Sequence, residues 1–209
     1  MQYHNRNLTL HTDATYCGWP LQFDKGPFYT EYLETLHRVI QQALHDDGRV
    51  FAFRFDLRFP LGWPVNAAAD NDYVCRFFKS IKSKVAHNRK DQVHDTRVRY
   101  VWAREEGQHG VPHYHGLILV NAYAFNSLGR FDSEFDNMAR RLQSAWASAL
   151  GIPFEAATGL VETPMNATYE MTRDDLSGQS ELFRRACYLC KAATKVYGDW
   201  VHAFGASVR

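Results

Sequence analysis

The stretch Arg99 to Val120, RYVWAREEGQHGVPHYHGLILV, reads as one β-hairpin. Its arms, Val98 to Glu105 and His113 to Val120, are rich in β-branched, aromatic and apolar residues. Glu106 to Pro112 between them holds two glycines and a proline, the residues that reverse a chain. Side chains alternate between faces along a strand, so His113 and His115 share one side and Tyr114 takes the other. The end of the first arm lies beside the start of the second, so one of the carboxylates Glu105 and Glu106 can meet both imidazoles. Two ring nitrogens and one carboxylate oxygen leave positions open for water and a phosphate, the donor set of a catalytic Mg²⁺ or Mn²⁺ site. His-x-His alone is a weak signal, and His109, in the turn, is a poorer ligand.

Outward from the hairpin, Arg49 to Phe59 alternates as a strand. Phe51, Phe53, Phe55, Leu57 and Phe59 take one face, and Ala52, Arg54, Asp56 and Arg58 the other, with Pro60, Gly62 and Pro64 ending it. Arg54 and Arg58 suit a phosphate backbone or a surface salt bridge equally well, and Asp56 is read as a salt-bridge partner. Helical spacing of apolar residues predicts helices over Phe28 to His45, Asn71 to Asn88, Asp132 to Leu150 (capped by Asp132, with Phe135 in its apolar stripe) and Ser180 to Val196. Gly159 to Glu162 suits a short strand, Asp174 to Gln179 a loop, and residues 1–27 an irregular lead-in to a single domain over 28–209. The element order predicts an α+β fold with helices packed on one face of an antiparallel sheet.

The chain is 209 residues long, with 24 Lys and Arg against 23 Asp and Glu, so its net charge of +1 points to no partner. The distribution says more, because Arg76, Lys79, Lys82, Lys84, Arg89, Lys90, Arg97, Arg99 and Arg104 face only Asp91 and Asp95 before Glu105. This basic segment is either a solvated helix face or a phosphate contact. Cys17, Cys75, Cys187 and Cys190 are too few and too irregular for a secreted disulfide framework. No apolar run approaches the roughly 20 residues of a membrane span, and the N-terminus lacks a signal-peptide core, so the expected location is the cytosol.

In the last predicted helix Tyr188 and Lys191 stand at i and i+3 and therefore on one face, which Lys195 extends by another turn. A phenol is a weak nucleophile at neutral pH and needs an activated phosphate and a nearby cation. The alternative is a core tyrosine beside two solvated lysines. Cys187-x-x-Cys190, on a helix with no second pair, is poor evidence for zinc.

The order Ala103-Arg104-Glu105, Pro112-His113-Tyr114-His115, then Tyr188-x-x-Lys191 resembles the HUH endonucleases. Arg54 to Pro60 stands where that family keeps its first, strand-borne motif. Within the family the chain looks like the single-tyrosine rolling-circle replication initiators of the inovirus type, encoded by phages and prophages. The resemblance implies an antiparallel sheet of about five strands with ferredoxin-like or RRM-like topology. It implies His113, His115 and Glu105 as metal ligands, with Glu106 in reserve, for one register step exchanges the two acids. Tyr188 is then the nucleophile that nicks single-stranded origin DNA, leaving a 5′-phosphotyrosine and a 3′-OH, and Lys191 supports it electrostatically. Arg54, Arg58, Arg104 and Lys195 would contact the DNA, host helicase and polymerase would be the partners, and the bacterial host cytosol the location. The first motif is Asp-Leu-Arg-Phe-Pro, in place of the Thr-Leu-Asn type of the eukaryotic-virus relatives. Competing readings are a catalytically silent single-stranded nucleic-acid-binding regulator on the same scaffold, a single-tyrosine transposase, and a metal-dependent nucleotide hydrolase. Lys191, where transposases carry glutamine, argues against the transposase, and a hydrolase leaves Tyr188 and Lys191 without a task.

Overall fold

A computed structural model describes residues 7–64, 67–106, 111–197 and 201–207, with side chains from 71 onward in the second helix. The hairpin turn with His109, like residues 1–6, lies outside the described residues. In chain order the elements are β1 (Leu10–His11), β2 (Thr15–Tyr16), β3 (Trp19–Pro20), β4 (Phe28–Tyr29), α1 (Thr30–Asp47), β5 (Arg49–Arg58) and α2 (Ala67–Arg89). There follow β6 (Arg99–Glu106), β7 (Pro112–Asn121), α3 (Met138–Leu150), β8 (Val161–Glu162), β9 (Thr168–Thr172), α4 (Leu176–Ala186) and β10 (Phe204–Ala206).

The main sheet has six strands in the order β10-β6-β7-β5, with β8 and β9 both on the outer edge of β5. Every pairing is antiparallel. The hairpin and the phenylalanine strand form as their alternation predicts. β9 and β10 have no counterpart in the sequence reading, for each is short and half exposed and exists by pairing with a distant strand.

Helices cover both faces of the sheet, not one. The phenylalanines of β5 and Tyr114, Ile118 and Val120 of β7 share a core with Val74, Phe77 and Phe78 of α2 and Leu142 and Trp146 of α3. The opposite faces of the same strands carry Val50, Ala52, Val101, Ala103, Leu117 and Leu119, packed with Leu36 and Ile40 of α1 and Leu182 and Phe183 of α4. Burying both faces removes apolar surface at about 25 cal/mol per Å² on each side, which one layer of helices could not achieve.

Further boundaries move for local reasons. α3 starts at Met138 because the Asn137 side chain accepts from the Arg140 N–H at 3.0 Å. Asp132 instead pairs with Arg130, and Phe135 is exposed. Asp175 caps α4 through the Gly178 N–H, so the expected loop over 174–179 is largely helix. Residues 7–27 are not an irregular lead-in. β1 pairs with β4, β2 with β3, and Leu21, Tyr16 and Trp19 join the α1/α4 core. No helix among the described residues is long and apolar enough to cross a membrane.

Gly116 lies opposite both Phe55 and Trp102, and a Cβ there would meet the Phe55 ring at 2.2 Å. That ring is 1% exposed and packed between Phe53, Phe77 and Phe78, so it has nowhere to go. Gly116→Ala is expected to cost about 1–3 kcal/mol by overpacking, read as a lowered urea midpoint.

Candidate metal centre

The hairpin register pairs Glu105 with His113 and Ala103 with His115, so Glu105, His113 and His115 emerge on one face. It is the α1/α4 face, beyond the point where Leu117 and Leu119 end the core. Glu106 pairs with Pro112, points to the other face and binds Arg104 at 2.9 Å, which removes it from the ligand set. One ligand atom from each of Glu105, His113 and His115 lies within 4.8 Å of the others. The two imidazole Nε2 atoms are 3.1 Å apart, and His115 Nε2 is 3.5 Å from Glu105 Oε2. Ligands about 2.1 Å from an ion are about 3.0 Å apart along an octahedral edge, so this donor set fits a divalent metal.

His115 turns its other nitrogen, Nδ1, to Asp56 Oδ1 at 2.6 Å, because Asp56 is its register partner on β5. A carboxylate behind a histidine fixes ring orientation and raises ligand basicity. Asp56, expected in a surface salt bridge, instead backs His115 and stands beside the cluster. Burial disfavours a proton on His115, yet hydrogen bonds to Asp56 and Glu105 outweigh it and raise its pKa. His113 goes the other way, lowered by burial and then by the charge on His115. The short Nε2 to Nε2 contact is a hydrogen bond in which one ring donates and the other accepts.

Glu105 is 2% exposed. Burial alone would raise its pKa, but the His115 hydrogen bond and the Lys195 and Lys191 ammoniums hold it well below the usual carboxylate range. Lys195 Nζ lies 2.9 Å from Oε1, and Lys191 Nζ 2.9 Å from Oε2. Burial lowers the Lys195 pKa, and Glu105 opposes that shift.

These lysines do not arrive on a helix. α4 stops at Ala186, and a 3-10 turn, Cys187–Cys190, follows. The Gln22 amide donates to the Arg184 and Arg185 carbonyls at 3.0 and 3.1 Å, taking up C-terminal groups that a longer helix would use. Lys191 is extended, in a bridge to Phe28, and Thr194 at φ 67 turns the chain so that Lys195 re-enters the interior. Tyr188, in the 3-10 turn, is half-buried. Its ring stands perpendicular to His115 with centroids 5.3 Å apart, and Lys191 Nζ lies 3.7 Å from its centroid.

Two residues expected to contact DNA have no free surface to do so. Lys195 is 1% exposed on Glu105, and Arg104 is 4% exposed beside Glu106. Arg58 is exposed at the edge of the site, paired with Glu162 at 3.1 Å, and Arg54 is half-buried on the same face. The Cys187 thiol, which accepts from the Gln22 N–H at 3.3 Å, is pushed up to about 11 by burial, and burial also raises that of Cys190 well above the ordinary thiol value.

Fold and site together define an α+β domain that holds a buried carboxylate and two histidines beside a tyrosine. The chain belongs to the YagK/YfjJ C-terminal domain family, which matches residues 12–207. It is 29% identical over 200 residues to the uncharacterized protein YfjJ of Escherichia coli (strain K12), covering 87% of this chain and 96% of YfjJ. It is 27% identical over 202 residues to the uncharacterized protein YagK of the same strain, covering 87% of this chain and 94% of YagK. No solved structure matches.

Glu105→Ala leaves two buried ammoniums without their carboxylate and is expected to cost about 3–5 kcal/mol in chemical denaturation. Glu162→Ala, which breaks an exposed pair, is expected to cost less than about 1 kcal/mol. Thiol labelling of the native protein at pH 8 should modify Cys17 and Cys75, which are exposed, and spare Cys187 and Cys190 until denaturant is added. Fast labelling of all four would contradict the burial of the turn that carries Tyr188.

Proposed function

We propose that the chain is a DNA-nicking and joining enzyme of the HUH type, a replication initiator acting on single-stranded DNA at a phage or prophage origin. The observation that carries the reading is the position of Tyr188, its ring 5.3 Å from that of His115 at the mouth of the Glu105, His113 and His115 cluster. The strand order β6-β7-β5-β9, with α2 and α3 in the connections, supports the finer assignment of a ferredoxin-like topology. The bacterial cytosol is the proposed location, and a host helicase and polymerase the proposed partners.

Glu105, His113 and His115 would hold Mg²⁺ or Mn²⁺, which when bound neutralises charge on the non-bridging phosphate oxygens. Arg54 and Arg58 carry positive charge along the strand on which the backbone would lie. The Tyr188 hydroxyl attacks phosphorus, the Oη–P bond forms and the P–O3′ bond breaks. The phenol proton leaves to water, and O3′ takes one up. The products are a 5′-phosphotyrosine and a free 3′-OH, and attack by a second 3′-OH reverses the step and joins strands. Lys191, its ammonium beside the phenol ring, offsets the negative charge that develops there. Asp56 keeps His115 in the orientation that directs Nε2 into the cluster.

Incubation with Mn²⁺ and single-stranded origin DNA is expected to yield a protein–DNA adduct that survives denaturation. Tyr188→Phe should abolish it, and His113→Ala should reduce it by roughly 100-fold or more. Cleavage that persists in Tyr188→Phe would remove the nucleophile. DNA binding with no adduct under any divalent ion would instead favour the silent regulator.

A further inference from the structure

The charges around the Glu105, His113 and His115 cluster do not favour a divalent cation. Glu105 and Asp56 supply the negative charge, and Lys191 and Lys195 cancel it, both ammoniums lying 2.9 Å from a Glu105 oxygen. Arg58 and Glu162 neutralise each other at the edge, and Arg54, two residues before Asp56 on the same strand face, adds a positive charge. Oε1 of Glu105 belongs to Lys195, and Oε2 must serve both Lys191 and a metal. A cation arriving here meets ligands of suitable geometry without the net negative field that makes hard-ion sites tight. A phosphodiester supplies what is missing, one negative charge and oxygen ligands.

We propose that Lys195, together with Lys191, makes divalent-metal binding at Glu105, His113 and His115 conditional on a bound phosphodiester, so that metal and single-stranded DNA bind cooperatively. This rests on the proposed function and assigns Lys195 a place in it, as a buried counter-charge rather than a DNA contact. The consequence is regulatory. The site loads its metal where a DNA strand is already seated and stays unreactive toward free ions elsewhere.

The test uses the full chain carrying Tyr188→Phe, so that no covalent step intervenes. Mn²⁺ is titrated with and without oligo(dT), and free Mn²⁺ is followed by its electron paramagnetic resonance signal. Oligo(dT) is expected to tighten Mn²⁺ binding roughly tenfold or more, and Mn²⁺ should tighten oligo(dT) binding by the same factor. Adding Lys195→Met removes a counter-charge with little change in shape. It should strengthen Mn²⁺ binding in the absence of DNA and shrink the effect of DNA, whereas a purely structural lysine would leave affinity equal or weaker. Lys191→Met repeats the comparison if Lys195→Met fails to fold, and the parent comparison decides if both fail. Oligo(dT) that binds by fluorescence anisotropy yet leaves Mn²⁺ affinity unchanged overturns the coupling while the nuclease reading stands. Oligo(dT) that does not bind at all overturns both.

Discussion

A carboxylate as enclosed as that of Glu105 keeps its charge only if something replaces the water it has lost. Lys191, Lys195 and His115 do so here. The arrangement joins the end of β6, the start of β7 and a segment 90 residues further along the chain. Replacing such buried ions with apolar side chains of similar volume is often neutral or stabilising, so a fold selected for stability alone has little reason to keep them. What the network does provide is placement. Each partner fixes one oxygen of Glu105 or one nitrogen of His115, and so sets where the donor atoms of the cluster that could hold a metal lie.

The same requirement explains the N-terminal segment. Tyr188 and Lys191 can reach the sheet only if α4 stops before them, and Gln22 marks where it stops by taking the Arg184 and Arg185 carbonyls. The Phe28 bridge to Lys191 and the Ala192 N–H to Pro27 carbonyl bond, at 2.8 Å, hold the segment that follows. Residues 7–29 are therefore a brace for the tyrosine turn, which fits a family match that begins at residue 12.

How much of this is legible in the sequence depends on how local the signal is. Alternation in 49–59 and the turn chemistry at 106–112 are local, and the residue order by itself puts His113 and His115 on one face, while the register chooses Glu105 over Glu106 to join them. Helices on both sides of the sheet also leave a local trace, for Gly116 to Val120 is apolar without alternation, the pattern of a strand buried on both faces. Asp56 is different. Its polarity shows in the strand, but its partner His115 lies 59 residues away and only the register joins them. The end of α4 is as remote from its cause, since the periodicity of 180–196 runs on while Gln22, more than 160 residues earlier, takes the helix's last carbonyls. Lys195 reads as a surface cation because lysine almost always is one, and only a buried acid can draw it inside.

One register decides fold and site together. On the α1/α4 face β5 runs Val50, Ala52, then Arg54, Asp56 and Arg58, while β6 runs Val101, Ala103, then Glu105, and β7 runs Leu119, Leu117, then His115 and His113. Each strand changes from apolar to polar toward the same end of the sheet, each change one same-face position beyond the last from β5 to β7 to β6, and the pairings Asp56 with His115 and Glu105 with His113 bring the polar groups together. A slip of one residue would turn the polar groups into the α2/α3 core, at a desolvation cost no apolar gain could offset. A slip of two would keep the faces but part Glu105 from His113 and Asp56 from His115. The packing that makes the sheet thus admits only the register in which these side chains converge.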